Sequence, residues 1–360
     1  MAEPLKHLYN QSFITDLSAE LTKHYPNFKQ QAFYRSVFNN NWATMELKQR
    51  MRHITICLHN QLPFSYPEQI QILTKTAPQF TGFTAMFFPD FVEVYGLSDL
   101  NTSIAALTLF TQYSSSEFAV RPFILKYPKQ LIKQHLLWAK HKNHHVRRLA
   151  SEGIRPRLPW AMALPEFKKD PSPILPILEL LKQDESEYVR KSVANCINDI
   201  SKDHPELVIN IINTWKGISP HTDWIVKHGS RGLLKKGNEA ALASFGLNHR
   251  IKTSVSNLSL NKKRLPIGGE FEFTFEVMLQ EKLQHEVRIE YVVYFMKANG
   301  KLSPKIFQVG TYSFNPNQVL SFKRKHRFAD LTTRKHHRGK HQIGIVINGK
   351  EMANLDFELV

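Results

Sequence analysis

Two domains of different class are predicted, an α-helical repeat solenoid over residues 1–248 followed by a β-sandwich over residues 249–360. Three observations carry this expectation. The chain has 360 residues, 42% of them hydrophobic, which is enough apolar material for sizeable cores but too much length for one compact unit. Apolar residues recur at helical spacing as far as about residue 248, and beyond it they alternate as in strands. Two segments inside the helical part also repeat.

In the helical part the breaks fall at Tyr25-Pro26, Leu62-Pro63, Gly96, Tyr127-Pro128, Pro156, Pro171 to Pro176, Pro205 and Pro220, so the helices are short. His145-Val146-Arg147-Arg148-Leu149-Ala150 aligns with Tyr188-Val189-Arg190-Lys191-Ser192-Val193, the two 43 residues apart. A fainter copy, Trp224-Ile225-Val226-Lys227, follows a further 37 residues on. The first spacing suits HEAT-like helix pairs, whose period is about 40 to 47 residues, and the second falls just short of it. At the start of a second helix the valine would pack inward and the arginine would lie on the concave face.

In the second part Phe271, Phe273, Phe275 and Val277 alternate with Glu272, Thr274, Glu276 and Met278. Ile289, Tyr291, Val293 and Phe295 continue the pattern, the signature of half-buried strands. Asn299-Gly300 and Asn348-Gly349 stand between apolar runs, as type I′ hairpin turns require. About 110 residues of short strands suggest an all-β sandwich, and with no cysteine in it any immunoglobulin likeness lacks the disulfide between its sheets.

Lysine and arginine number 48 against 31 acidic residues, a net charge of +17 with a pI near 9.7. That excess points to a polyanion, nucleic acid or an anionic membrane surface. No apolar run reaches the roughly 18 residues of a membrane span and the N-terminus lacks the form of a signal peptide, so a cytoplasmic protein with no membrane partner is expected. Cys57 and Cys196 are far apart and in no CxxC arrangement, which predicts two reduced core thiols and no cysteine-ligated metal.

Helical repeats are mostly inert scaffolds, so chemistry needs residues that the scaffold does not demand. Three clusters qualify: Ser114 to Phe123 with Glu117 and Arg121-Pro122, Ala150 to Trp160 with Glu152, a glycine and two prolines, and Ser192 to Lys202 with Asp199. A helix cap, an i to i+3 ion pair and a turn are the ordinary roles for these three carboxylates. Equivalent regions of successive repeats share one concave surface, however, so Glu152 and Asp199 are expected to converge there with Trp160.

Phe87-Phe88-Pro89-Asp90-Phe91-Val92-Glu93, Ser116-Glu117-Phe118-Ala119-Val120-Arg121-Pro122, Ser151 to Trp160 and Asn198-Asp199-Ile200-Ser201-Lys202 together resemble the AlkC-type alkylbase DNA glycosylases, HEAT-like repeat relatives of AlkD. The resemblance runs along the whole chain and places it in the branch with an immunoglobulin-like extension. It implies a site formed by Glu117, Glu152, Trp160 and Asp199, without a deep base pocket, and hydrolysis of the N-glycosidic bond of 3-methyladenine or 3-methylcytosine in double-stranded DNA. Such a cationic base leaves as a neutral molecule, so no general acid is required and one carboxylate, expected to be Asp199, stabilises the sugar and holds water. Glu117 and Glu152 would add negative potential, and the π-face of Trp160 would attract positive charge.

A monomer without cofactor or metal is expected. The cations expected to meet DNA are Arg121, Arg147, Arg148, Arg155, Arg157, Arg190, Lys191, Lys202 and Arg231, joined by Arg334, Lys335, Arg338 and Lys340 of an exposed basic loop within residues 323–341. A non-catalytic HEAT-like DNA-binding scaffold is the alternative. A metal-dependent oxygenase would need several histidine and carboxylate ligands on successive repeats, yet the one His-Glu pair, His285-Glu286, lies in the β-domain. A helix-hairpin-helix glycosylase finds no hairpin with a catalytic aspartate behind it.

Overall fold

The computed structural model describes residues 4–330 and 335–360. Among them, sixteen α-helices between Gln11 and Ser244 precede eight strands between Thr253 and Leu359. No helix among the described residues is long and apolar enough to cross a membrane.

Packing divides the chain into two compact units. One comprises the residues up to Asp203 with Gly217–Gly229, and the other comprises His204–Lys216 with Ser230–Val360. The change from helix to strand thus falls between Ser244 and Thr253, while the helices Pro205–Trp215, Arg231–Lys235 and Glu239–Ser244 pack with the strands.

In the first unit the repeat is visible as two helices in contact, His144–Glu152 and Glu187–Ile200, the latter also packed on Pro220–Gly229. Asn143 caps the first by accepting from the amide of His145. Val146, Val189 and Val226 are fully buried, each at the repeat position that brings it inward. The neighbouring arginines behave differently from the expectation. Arg147 Nη1 donates to the carbonyls of His141 and Lys142, and Arg190 Nη1 to those of Asp184 and Glu185. Each thus closes the turn that enters its own helix, and Arg147 is paired further with Asp184 at 2.6 Å. These guanidinium groups are braces within the repeat rather than a free fork for phosphate.

The strands are β1 (Thr253–Leu260), β2 (Arg264–Leu265), β3 (Glu270–Leu279), β4 (His285–Met296), β5 (Leu302–Phe314), β6 (Val319–Arg327), β7 (Gly339–Ile347) and β8 (Lys350–Leu359). They form a three-stranded sheet, β1-β3-β6, and a five-stranded sheet, β2-β8-β7-β4-β5. Phe271, Phe273 and Phe275 of β3 point into the shared core with Tyr291, Phe322, Phe328 and Phe357. β3 alternates as predicted, but β4 is buried at every residue from Val287 to Val293. Helix Arg231–Lys235 and the turn after it, of the same unit, reach this sheet, Lys235 donating to the Ile306 carbonyl and Gly237 lying against Gly349. At Asn348 and Gly349 φ is 45° and 81°, as a type I′ turn demands. At Asn299-Gly300 only the glycine is left-handed, so that hairpin is closed by a wider loop.

The basic stretch is part strand and part loop: the strand expected to end near Phe328 closes at Arg327, and the next strand, β7, begins as early as Gly339. Lys323 and Lys325 lie on β6 and pair with Glu272 and Glu270 of β3, while Lys340 lies on β7. His336 is buried against Phe295 and Phe328. Lys335, Arg338 and Lys340 are exposed, and Arg334 lies outside the described residues.

Candidate active site

A cleft of about 760 Å³ opens in the first unit. Tyr9, Met51, Phe83, Met86 and Phe118 make one part of its wall apolar, and Glu117, Arg148, Glu152, Arg155, Trp160 and Tyr188 make another part polar and aromatic.

Three of the four expected site residues line the cleft, Glu117, Glu152 and Trp160. Glu152 is the last residue of its helix, and the Gly153 that caps it lies close against helix Val120–Lys126, where a Cβ would meet Val120 at 2.8 Å. The chain then runs without helix to Pro165, and in that stretch Trp160 takes a left-handed φ of 65° and is 63% exposed. A tryptophan in this conformation is strained and needs an outside hold. Lys48 supplies one, its ammonium donating to the Trp160 carbonyl at 2.8 Å.

Asp199 does not line the cleft. It is 2% exposed, with Oδ2 accepting from Arg155 Nε at 2.9 Å and Oδ1 from Lys202 at 3.1 Å. Arg155 is the link to the cleft, because its Nη1 donates to Glu152 Oε1 at 2.6 Å. Arg148 continues the chain, 3.7 Å from Glu152 and 3.3 Å from Glu117, with its guanidinium over the Tyr188 ring at 4.5 Å. Three carboxylates and three cations therefore alternate: Glu117, Arg148, Glu152, Arg155, Asp199, Lys202. Burial works against the charge of both arginines, but Glu117 and Glu152 around Arg148, and Glu152 and Asp199 around Arg155, outweigh it and raise both pKa values. The expected bare negative potential is instead a balanced, prepositioned network. Within it Glu152 Oε2 accepts no hydrogen bond from any described residue, which leaves a carboxylate oxygen available at the cleft.

Several cations expected to meet DNA have other roles. Arg121 is fully buried and Arg155 is 7% exposed, so neither presents its charge at the surface. Arg157 pairs with Asp203 at 2.7 Å and Lys191 with Glu187 at 2.7 Å. Phe83 and Lys48 belong to the cleft without having stood out in the sequence. Only Gly82, left-handed at φ 73°, marks the Phe83 turn. Among the described residues no group of three or more His, Cys, Asp or Glu side chains is placed to hold a metal ion.

Residues 112–233 match the DNA alkylation repair enzyme family, and residues 254–360 match the C-terminal Ig-like domain of the uncharacterised protein YhaZ. The chain is 47% identical to YhaZ of Bacillus subtilis strain 168 over 355 residues, 99% of each protein. It also resembles the solved structure of the Pseudomonas fluorescens alkylpurine DNA glycosylase AlkC bound to DNA containing an abasic site analog, at 35% identity and a TM-score of 0.94, covering 99% of this chain and 100% of that one. By this whole-length agreement of sequence and fold, the chain belongs to the AlkC-like DNA alkylation repair enzymes that carry a C-terminal Ig-like domain of the YhaZ type.

Proposed function

We propose that the chain is a monofunctional DNA glycosylase that hydrolyses the N-glycosidic bond of cationic N-methylated bases, 3-methyladenine and 3-methylcytosine, in double-stranded DNA. The observation that carries this reading is the carboxylate–arginine network opening on the cleft beside Trp160. Kinship with an alkylpurine glycosylase supports it.

A base methylated at a ring nitrogen is already cationic, so it departs neutral and the protein supplies no proton to it. What the protein supplies is a fixed field for the oxocarbenium-like sugar and a place for water. In the free protein the positive charge between Glu152 and Asp199 is the guanidinium of Arg155. The sugar cation brings a second charge to the same pair, with Glu152 Oε2 available at the cleft and Asp199 completing the field from behind. Trp160 offers its exposed ring to the cation, an attraction of roughly 0.5 to 2 kcal/mol.

The deciding experiment measures free base released from methylated duplex DNA with and without EDTA. Release of 3-methyladenine or 3-methylcytosine that survives EDTA is expected. Binding to the duplex with no release of either base favours a non-catalytic DNA-binding scaffold.

A further inference from the structure

Arg121 is one of the largest fully buried side chains in the protein, yet no carboxylate pairs with it. Its Nε donates to the carbonyl of Met162 at 2.7 Å, and its Nη1 to those of Gly153 at 3.0 Å and Arg155 at 2.9 Å. Nη2 is buried without a partner. Burial and the like charge of Arg155 push its pKa down to about 10, which leaves it charged at neutral pH. An unpaired buried charge costs stability, so bulk stabilisation is a poor account of this residue.

The three carbonyls identify what it does. They belong to the start and end of one irregular segment, which follows Glu152, contains Arg155 and presents Trp160 in its strained conformation. Helix Val120–Lys126 carries Arg121, and Gly153 makes room for that helix to lie close beneath the segment. A planar guanidinium is the one side chain whose fork reaches carbonyls at several points of such a segment together. We propose that Arg121 is the positioning residue of the active site: by holding the backbone at Gly153, Arg155 and Met162 it aims Glu152, Arg155 and Trp160 into the cleft, while touching neither DNA nor the reacting atoms.

This inference rests on the glycosylase reading for its kinetic arm only. In Arg121→Lys and Arg121→Gln, both checked for native fold, the single-turnover rate of base release is expected to fall roughly 100-fold, since misplacement of about 1 Å costs that much. Affinity for undamaged duplex should stay within about threefold of wild type. A second arm reads Trp160 directly, as the difference in tryptophan emission between each protein and its Trp160→Phe counterpart. The arginine variants should shift that difference spectrum relative to wild type, even if the wild-type chain releases no base. Rates within about threefold of wild type, an unchanged Trp160 spectrum, or loss of rate and affinity in equal measure would each overturn the proposal. So would failure of both variants to fold, because the arginine would then serve the fold rather than the site.

Discussion

A carboxylate with both oxygens taken by cations has two ways to matter: it holds the cations, or it acts through them. For Asp199 the two are separable. Asp199→Asn keeps the size and one acceptor for Arg155 but removes the charge opposite the developing sugar cation, so base release should fall roughly 100- to 1000-fold with little change in DNA affinity. Glu152→Gln should cost at least as much, since its free oxygen is the one at the cleft. Single-turnover assays beside binding titrations check both. If Asp199→Asn stays within about threefold of wild type, Asp199 serves only to hold Arg155 and leaves the catalytic set.

The identities of these residues were legible because each sits in a polar or helix-breaking stretch that a repeat scaffold does not need. Their mutual arrangement was not, because an arginine near a carboxylate in sequence says nothing about which carboxylate it meets. Arg155 lies three residues from Glu152 but also takes Asp199, 44 residues on. Arg121, read as a DNA contact from its charge alone, is withdrawn from the surface by its burial.

Among the elements, the helix pair was readable from the valine that recurs at its buried position, whereas the arginine beside it turned back on its own turn. A hydrophobic period reports which side faces inward, but it does not report where a long flexible cation finds acceptors. β4 shows the same limit, since alternation cannot reveal that other elements of its unit cover a sheet's second face.

One element also carries a titration. His135, in helix Pro128–Trp138, is fully buried, donates through Nδ1 to the Ala150 carbonyl and leaves Nε2 without a partner. Burial, with the charge of Arg121 adding to it, lowers its pKa from 6.5 to about 4. The native state thus binds fewer protons than the unfolded chain between these values. The associated stability is intact above pH 6.5 and is lost as pH falls through about 4, amounting to about 3 kcal/mol in full. Denaturant midpoints of wild type and His135→Gln across this range should show a shallower acid loss in the variant. Parallel profiles would remove His135 as a source of acid sensitivity.

For the whole molecule the excess of +17 was plain from composition, but its distribution was not. Many of the candidate cations are internally paired or buried, which narrows the surface available to phosphate. In the β-rich unit the pairing of Lys323 and Lys325 with β3 carboxylates removes part of the basic stretch, and Lys335, Arg338 and Lys340 are left exposed around the start of β7. Each exposed cation that neutralises a phosphate releases a counterion, and a set of three should carry a measurable share of the salt dependence of binding. Replacing Lys335, Arg338 and Lys340 by alanine should therefore weaken binding to damaged and undamaged duplex alike, and flatten the plot of log affinity against log salt by up to about 3 units. Excision should suffer only through binding, with the single-turnover rate at saturating protein retained. A salt slope equal to that of wild type would mean that this edge of the β-rich unit does not touch DNA, and the polyanion contact would then have to be carried by other exposed cations of the protein.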